Sequence, residues 1–156
     1  MRRAARADAS AISQLLNSAF AEFRDRYTPA AYLASVPPES GIAARLEEGP
    51  LWVAESNSRV LGTVSAVQAQ DLVMIRGMAV SPLARGCGLG RTLLESAEAF
   101  ARRQGCGRIA LYTTAFLTAA IALYRSSGYA FTGEAESPHG TELLHMMKRI
   151  DAPAAR

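Results

Sequence analysis

Three glycines set between a strand-like run and a helix-like run constrain this chain most. Leu72 to Val80 reads Leu-Val-Met-Ile-Arg-Gly-Met-Ala-Val and stops before Ser81-Pro82. A stretch rich in Val, Ile and Met that ends at a proline predicts a strand. Farther on, apolar residues recur at helical spacing, with Leu89, Leu93, Ala97, Phe100 and Ala101 on one face of a helix running from Arg91 to Gln104. The opposite face carries Arg91 with Glu95 and Glu98 with Arg102, pairs spaced four apart. Between strand and helix lies Arg85-Gly86-Cys87-Gly88-Leu89-Gly90. A helix start leaves backbone N–H groups unpaired and carries partial positive charge, and glycine lets a bulky anion come close. Strand, glycine turn and helix start together predict an anion site, with phosphate the usual occupant.

A length of 156 residues suits one domain. The expectation is a single domain over residues 1–150 and a frayed Ala- and Pro-rich tail over 151–156. The hydrophobic fraction of 49% is enough for a full core. No apolar run is long enough to span a bilayer, which predicts no membrane partner. No apolar stretch follows the charged N-terminus, so no signal peptide is expected. Cys87 and Cys106 form no C-x-x-C pair, and they read as free thiols in a reducing, cytoplasmic setting. The net charge of +3 is spread along the chain. A nucleic-acid surface would want a clustered basic stripe, so no nucleic-acid partner is expected. Two cysteines and two histidines without ligand spacing predict no metal site.

In chain order, Arg2 to Ala5 predicts a short strand. Asp8 is the expected N-cap of a helix from Ala9 to about Glu22, with Ile12, Leu15, Leu16, Ala19 and Phe20 buried. A second helix starts near Thr28, with Pro29 at its first position, and ends at Pro37-Pro38. Glu39 to Glu47 predicts a third. Leu51 to Glu55 and Val60 to Gln68 read as strands joined by a turn at Asn57-Ser58. After the glycine loop and its helix come a strand at Arg108 to Thr113 and a helix from a Thr118 cap to Ser126, closed by Gly128. Strands at Tyr129 to Thr132 and Leu143 to Lys148 flank an exposed loop from Glu134 to Thr141. This order predicts a mixed α/β domain, a mostly antiparallel sheet of about seven strands with helices on its faces.

Two familiar readings of the loop fail on residues. A dinucleotide fingerprint needs G-x-G-x-x-G and a carboxylate at the end of the next strand, whereas the spacing here is G-x-G-x-G and Ile109 to Thr114 holds no acid. A triphosphate loop needs a lysine where Arg91 stands and a glycine where Arg85 stands. A third pattern fits. Arg85-x-x-Gly88-x-Gly90 resembles the [QR]-x-x-G-x-[GA] signature of the GNAT N-acetyltransferase superfamily. Met78-Ala79-Val80-x-Pro82 resembles the end of that family's central strand. Ala120-x-x-Leu123-Tyr124-x-x-x-Gly128-Tyr129 resembles its second conserved block. The resemblance covers most of the chain.

The resemblance implies the GNAT fold and acetyl-CoA as acyl donor. It implies that the amides of Arg85, Gly86, Cys87, Gly88, Leu89, Gly90 and Arg91 hold the pyrophosphate, and that side chains at Gly88 or Gly90 would block it. It implies that Met78, Ala79 and Val80 pair through their backbone with the pantetheine arm, where a bulge opens the sheet against the next strand. Tyr124 is the implied general acid for the leaving thiolate. A structural alternative stays open, because Leu117, Ile121 and Tyr124 share a helical face. Two positions depart from the family. Met74 stands where some members carry a glutamate base, leaving Asp71, Glu22, Glu134 or a water chain as stand-ins. Leu117 stands where an asparagine often contacts the pantetheine, leaving Thr113, Thr114 or Thr118 to compensate. The implied activity is acetyl transfer to a primary amine, small or peptidic, with Phe20 to Glu48 and Glu134 to Thr141 as acceptor walls. The alternative is a non-catalytic acyl-CoA-binding domain of the same fold. A homodimer, common in the family, is compatible with the resemblance.

Overall fold

The apolar runs form seven strands in one sheet, ordered β1-β2-β3-β4-β5-β7-β6. They are β1 (Arg2–Arg3), β2 (Leu51–Ser56), β3 (Arg59–Ala69), β4 (Leu72–Val80), β5 (Arg108–Thr113), β6 (Ala130–Glu136) and β7 (Leu143–Arg149). Every neighbouring pair is antiparallel except β4 and β5. Parallel neighbours need a crossover, and a helix supplies it. The helices are α1 (Ala9–Phe20), α2 (Pro29–Ser35), α3 (Glu39–Glu48), α4 (Leu89–Arg103) and α5 (Thr118–Ser126). This is a computed structural model, and it describes residues 1–151. Residues 152–156, most of the expected tail, lie outside the described residues.

Alternation along the strands splits the core between the two faces. On one face Val64, Val73, Ile75, Ile109, Leu111 and Met146 pack against Leu93, Leu94, Ala97 and Ala101 of α4 and Tyr124 of α5. On the other, Leu51, Val53 and Ala79 pack against Ile12 and Leu16 of α1 and Ile42 of α3. Leu16 and Leu93 are fully buried. Each side chain of that kind contributes roughly 1.5–3 kcal/mol of transfer free energy.

Several local expectations need correction. β1 holds two residues, not four, because its partner pairing covers only Arg2 and Arg3. The first helix stops at Phe20 and continues as a 3-10 segment over Ala21–Arg26. Asp8 does not cap α1. Its carboxylate turns back to accept the Ala5 N–H at 2.7 Å and the Arg2 guanidinium at 2.8 Å. Thr118 is the first residue of α5 rather than its cap, and the residue in the cap position, Leu117, offers no side-chain acceptor. By contrast, Thr28 caps α2 by accepting the Ala31 N–H at 3.1 Å. β6 runs on to Glu136, through residues assigned to a loop, because an irregularity between Phe131 and Ala135 resets its register with β7.

Glu98 is the largest surprise in α4. Its pairing with Arg102 is present at 3.5 Å, yet the residue is buried. Its carboxylate receives Lys148 Nζ at 3.1 Å on both oxygens and the Tyr129 hydroxyl at 3.1 Å. Burial, with this carboxylate alongside, pushes the Tyr129 phenol well above its usual range. Arg91 turns from Glu95 to donate to Ser126 Oγ at 3.1 Å, tying α4 to α5.

Candidate active site

The site begins where β4 and β5 part. Their parallel pairing runs from Leu72 with Arg108 to Ile75 with Leu111 and then stops, although both strands continue. Beyond that point β4 carries an extra residue against β3. Thr63 faces Ala79 while Ser65 faces Arg76, so three steps on β4 meet two on β3. Gly77 sits in the bulge at φ +60, a left-handed conformation that suits glycine. The bulge turns Ala79 to the α1 side of the sheet and leaves Met78 and Val80 packed beside α4. The backbone of β4 past Ile75 therefore faces a gap instead of a strand.

The glycine loop caps one end of this gap. Arg85, Gly86, Cys87 and Gly88 are exposed. Gly86 and Gly88 both hold left-handed φ angles, +80 and +81, and nothing lies within 4 Å of where a Cβ would sit on either. Alternating left-handed glycines turn successive N–H groups toward one open concavity at the start of α4. Gly90 also has a packing reason to be glycine. A Cβ there would fall 2.7 Å from Leu123 Cδ2, so it serves the close packing of α4 on α5. Leu89 opens α4 and rests on Gly62. Arg85 points its side chain away from the loop, pairing with Glu22 at 2.7 Å and donating to the Ala19 carbonyl at 3.3 Å. Cys87 Sγ lies 2.8 Å from the Ala84 carbonyl oxygen, a contact within its own turn.

Tyr124 lies on α5, in the apolar cluster against which Met78 and Val80 pack. It is buried, and burial, with Tyr27 nearby, pushes its phenol up to about 12. Tyr27 is also buried, and burial raises its phenol against the opposing influence of the Thr114 and Ser35 hydroxyls. Tyr27 stacks edge-on against Phe116 at 4.9 Å, and Phe23 and Arg26 cover the same ring. These contacts close the 3-10 segment after α1 over the β5–α5 connection. Thr113 Oγ1 is buried at the end of β5 without a formed hydrogen bond, and Thr114 Oγ1 is buried next to the Tyr27 phenol. They are better placed than the exposed Thr118 to meet a polar ligand where Leu117 offers nothing.

The two segments expected to wall the acceptor side do meet. The Thr28 N–H donates to Thr141 Oγ1 at 2.9 Å, and Thr28 Oγ1 donates to the His139 carbonyl at 2.5 Å. Of the stand-in bases, Asp71 lies at the far end of β4, where it accepts the Gly107 N–H at 2.8 Å. Glu22 is engaged by Arg85. Glu134 lies 3.6 Å from His145 Nδ1, which itself sits 2.8 Å from Thr132 Oγ1. The contact between Tyr27 and Phe116 joins the segment after α1 to the β5–α5 connection, and no local pattern indicates it. The unpatterned mixture of arginine and tyrosine after α1 was the one available hint.

Among the described residues the sheet parts past its one parallel pair, and the glycine turn follows the strand that parts, as the GNAT resemblance implies. Residues 10–129 match the family described as Acetyltransferase (GNAT) family, and the chain belongs to it. It is 31% identical over 137 residues to an uncharacterized N-acetyltransferase, YhfO, of Bacillus subtilis, covering 83% of this chain and 88% of that one. It is 35% identical over 89 residues to N-acetyltransferase family 8 member 3 of Rattus norvegicus, covering 53% of this chain. That match spans 39% of the rat protein's length. In fold, the chain is similar to the PaiA N-acetyltransferase of Thermoplasma acidophilum solved with coenzyme A, with a TM-score of 0.79, 14% identity, and coverage of 96% of this chain and 97% of that one. No helix among the described residues is long and apolar enough to cross a membrane.

Proposed function

We propose that residues 1–150 act as one unit that moves the acetyl group of acetyl-CoA to a primary amine by direct attack of the amine on the thioester. The observation that carries this reading is the parting of β4 from β5. The β4–β5 pairing ends at Ile75, the open loop at Gly86 and Gly88 follows β4, and the buried Tyr124 belongs to the cluster against which Met78 and Val80 pack. The coenzyme A complex of a protein with the same fold supports it.

In this reading the amides from Arg85 to Arg91 bind the pyrophosphate at the α4 N-terminus. The backbone of Met78 and Val80 pairs with the peptide-like pantetheine arm, with Ala79 between them anchored in the α1-side core. A β4 N–H freed by the bulge donates to the oxyanion formed as the amine attacks. The Tyr124 hydroxyl donates to the departing sulfur. A free thiol titrates near 8.5 by analogy with cysteine, well below a phenol near 12. Complete proton transfer therefore needs a sulfur as thoroughly desolvated as the phenol, and until then Tyr124 stabilises the thiolate as a hydrogen-bond donor. The amine loses its proton to Glu134 or through water.

The test is release of free thiol from acetyl-CoA with a panel of amines present. Amine-dependent release supports transfer. Binding of acetyl-CoA without release to any amine favours the non-catalytic reading, for which the apolar Met74 is the supporting feature.

A further inference from the structure

Two arginines converge on the β4 bulge. Arg45 comes from α3 and Arg76 from β4. The Arg45 Nη1 atom lies 2.6 Å from where a Cβ on Gly77 would be, so the guanidinium occupies the space that this glycine leaves. Its Nη2 donates to the Ala34 carbonyl at 3.0 Å. Burial, and then repulsion from Arg76, push Arg45 down to about 10, and burial lowers Arg76 as well. The Glu48 carboxylate lies against Arg76 Nη2. Among the described residues no carboxylate pairs with Arg45.

Two cations in a half-buried place are costly unless an anion joins them. A guanidinium has five N–H donors, and the Ala34 carbonyl takes one from Arg45. Arg45 bridges two parts of the proposed site. It touches the bulge on one side. On the other it holds Ala34, whose neighbour Ser35 lies beside the Tyr27 phenol near Tyr124. A strut between α2 and β4 would need none of this charge.

We propose that Arg45, reinforced by Arg76, binds the carboxylate of the acceptor, which makes the acceptor a small amine that carries a carboxylate. This rests on the acetyl-transfer reading and narrows its substrate class. A planar carboxylate accepts two parallel N–H groups from a guanidinium, which fixes the amine at the other end of a short molecule.

The experiment measures thiol release with the common α- and ω-amino acids, each beside its primary amide. Acetyl-CoA binding is measured by calorimetry on the same preparation. The proposal expects acids to be used in preference to their amides. In Arg45→Gln that preference should fall by about tenfold or more, the scale of one charge-assisted contact. Arg45→Lys, which keeps the charge without the fork, should restore part of it. Equal use of acids and amides by the parent overturns the proposal. So does an unchanged preference in Arg45→Gln, and so does a protein that binds acetyl-CoA but acetylates no acid. A protein that fails to bind acetyl-CoA overturns the acetyl-transfer reading itself, and the proposal with it.

Discussion

Gly90 on α4 leaves room for the Leu123 side chain of α5, whose Cδ2 would stand 2.7 Å from a Cβ at position 90. This contact sets how closely the loop-bearing helix approaches the helix that carries Tyr124. Gly90→Ala should therefore destabilise the fold by about 1–3 kcal/mol, the usual range for overpacking. The same change should cost much less in a Leu123→Ala background. Urea melts of the two single variants and the double variant measure the difference. Additive effects would mean that the two residues do not meet.

Tyr124→Phe should lower kcat strongly while leaving acetyl-CoA affinity nearly unchanged. The hydroxyl matters only once charge develops on the sulfur, and such an interaction appears in kcat and not in ground-state binding. Steady-state rates with an accepted amine, beside a calorimetric titration, separate the two. Parent-like turnover would make Tyr124 a packing residue.

The buried Glu98 makes a stability prediction. Removing one partner of a buried ion pair leaves the other uncompensated. Lys148 keeps some contact with solvent, so Glu98→Ala should cost about 3 kcal/mol or somewhat less rather than the full buried penalty. Glu98→Met combined with Lys148→Met should cost less than Glu98→Ala alone. Denaturant midpoints of these variants provide the check.

Asp8 gives a pH dependence with a definite sign. Hydrogen bonding to Arg2 holds its carboxyl down to about 2, below the ordinary 3.8. A carboxylate with a depressed folded-state pKa stabilises above its unfolded value and loses that contribution as pH falls through the folded one. The contribution is therefore complete above about pH 5, falls through about pH 2 and is gone near pH 1. Exposure of Arg2 to solvent keeps it small. Asp8→Asn should lower Tm at pH 7 and match the parent at about pH 1, as thermal melts across that window would record.

The parts of this protein that local rules govern were legible in its residues. The strand from Leu72 to Val80, the glycine turn and the helix after it follow from β-branched content, glycine placement and the 3.6-residue period; the helix expected from Arg91 begins two residues earlier, at Leu89. What was illegible depends on partners far away in sequence. Four-residue spacing predicted the Glu98–Arg102 pair, but spacing alone does not reveal that Lys148 and Tyr129, from β7 and the turn before β6, draw Glu98 inward. Asp8 has the composition of a helix cap, yet Arg2 and the Ala5 N–H compete for its carboxylate and win. The loop motif places Gly90 at its end but does not reveal the packing of that glycine against Leu123 on another helix. The Arg45–Gly77 contact joins α3 to the bulge in β4, and neither local pattern hints at it.

The central claim is that the Gly86–Gly88 concavity receives the pyrophosphate of acetyl-CoA. Calorimetric titration with acetyl-CoA, beside NAD and ATP, on the parent and on Gly88→Glu tests it most directly. The parent should bind acetyl-CoA with micromolar affinity and neither of the others. Gly88→Glu should lose that binding, because it puts bulk and negative charge where the phosphates sit. Retained affinity in Gly88→Glu, or binding of NAD or ATP in place of acetyl-CoA, would contradict the account.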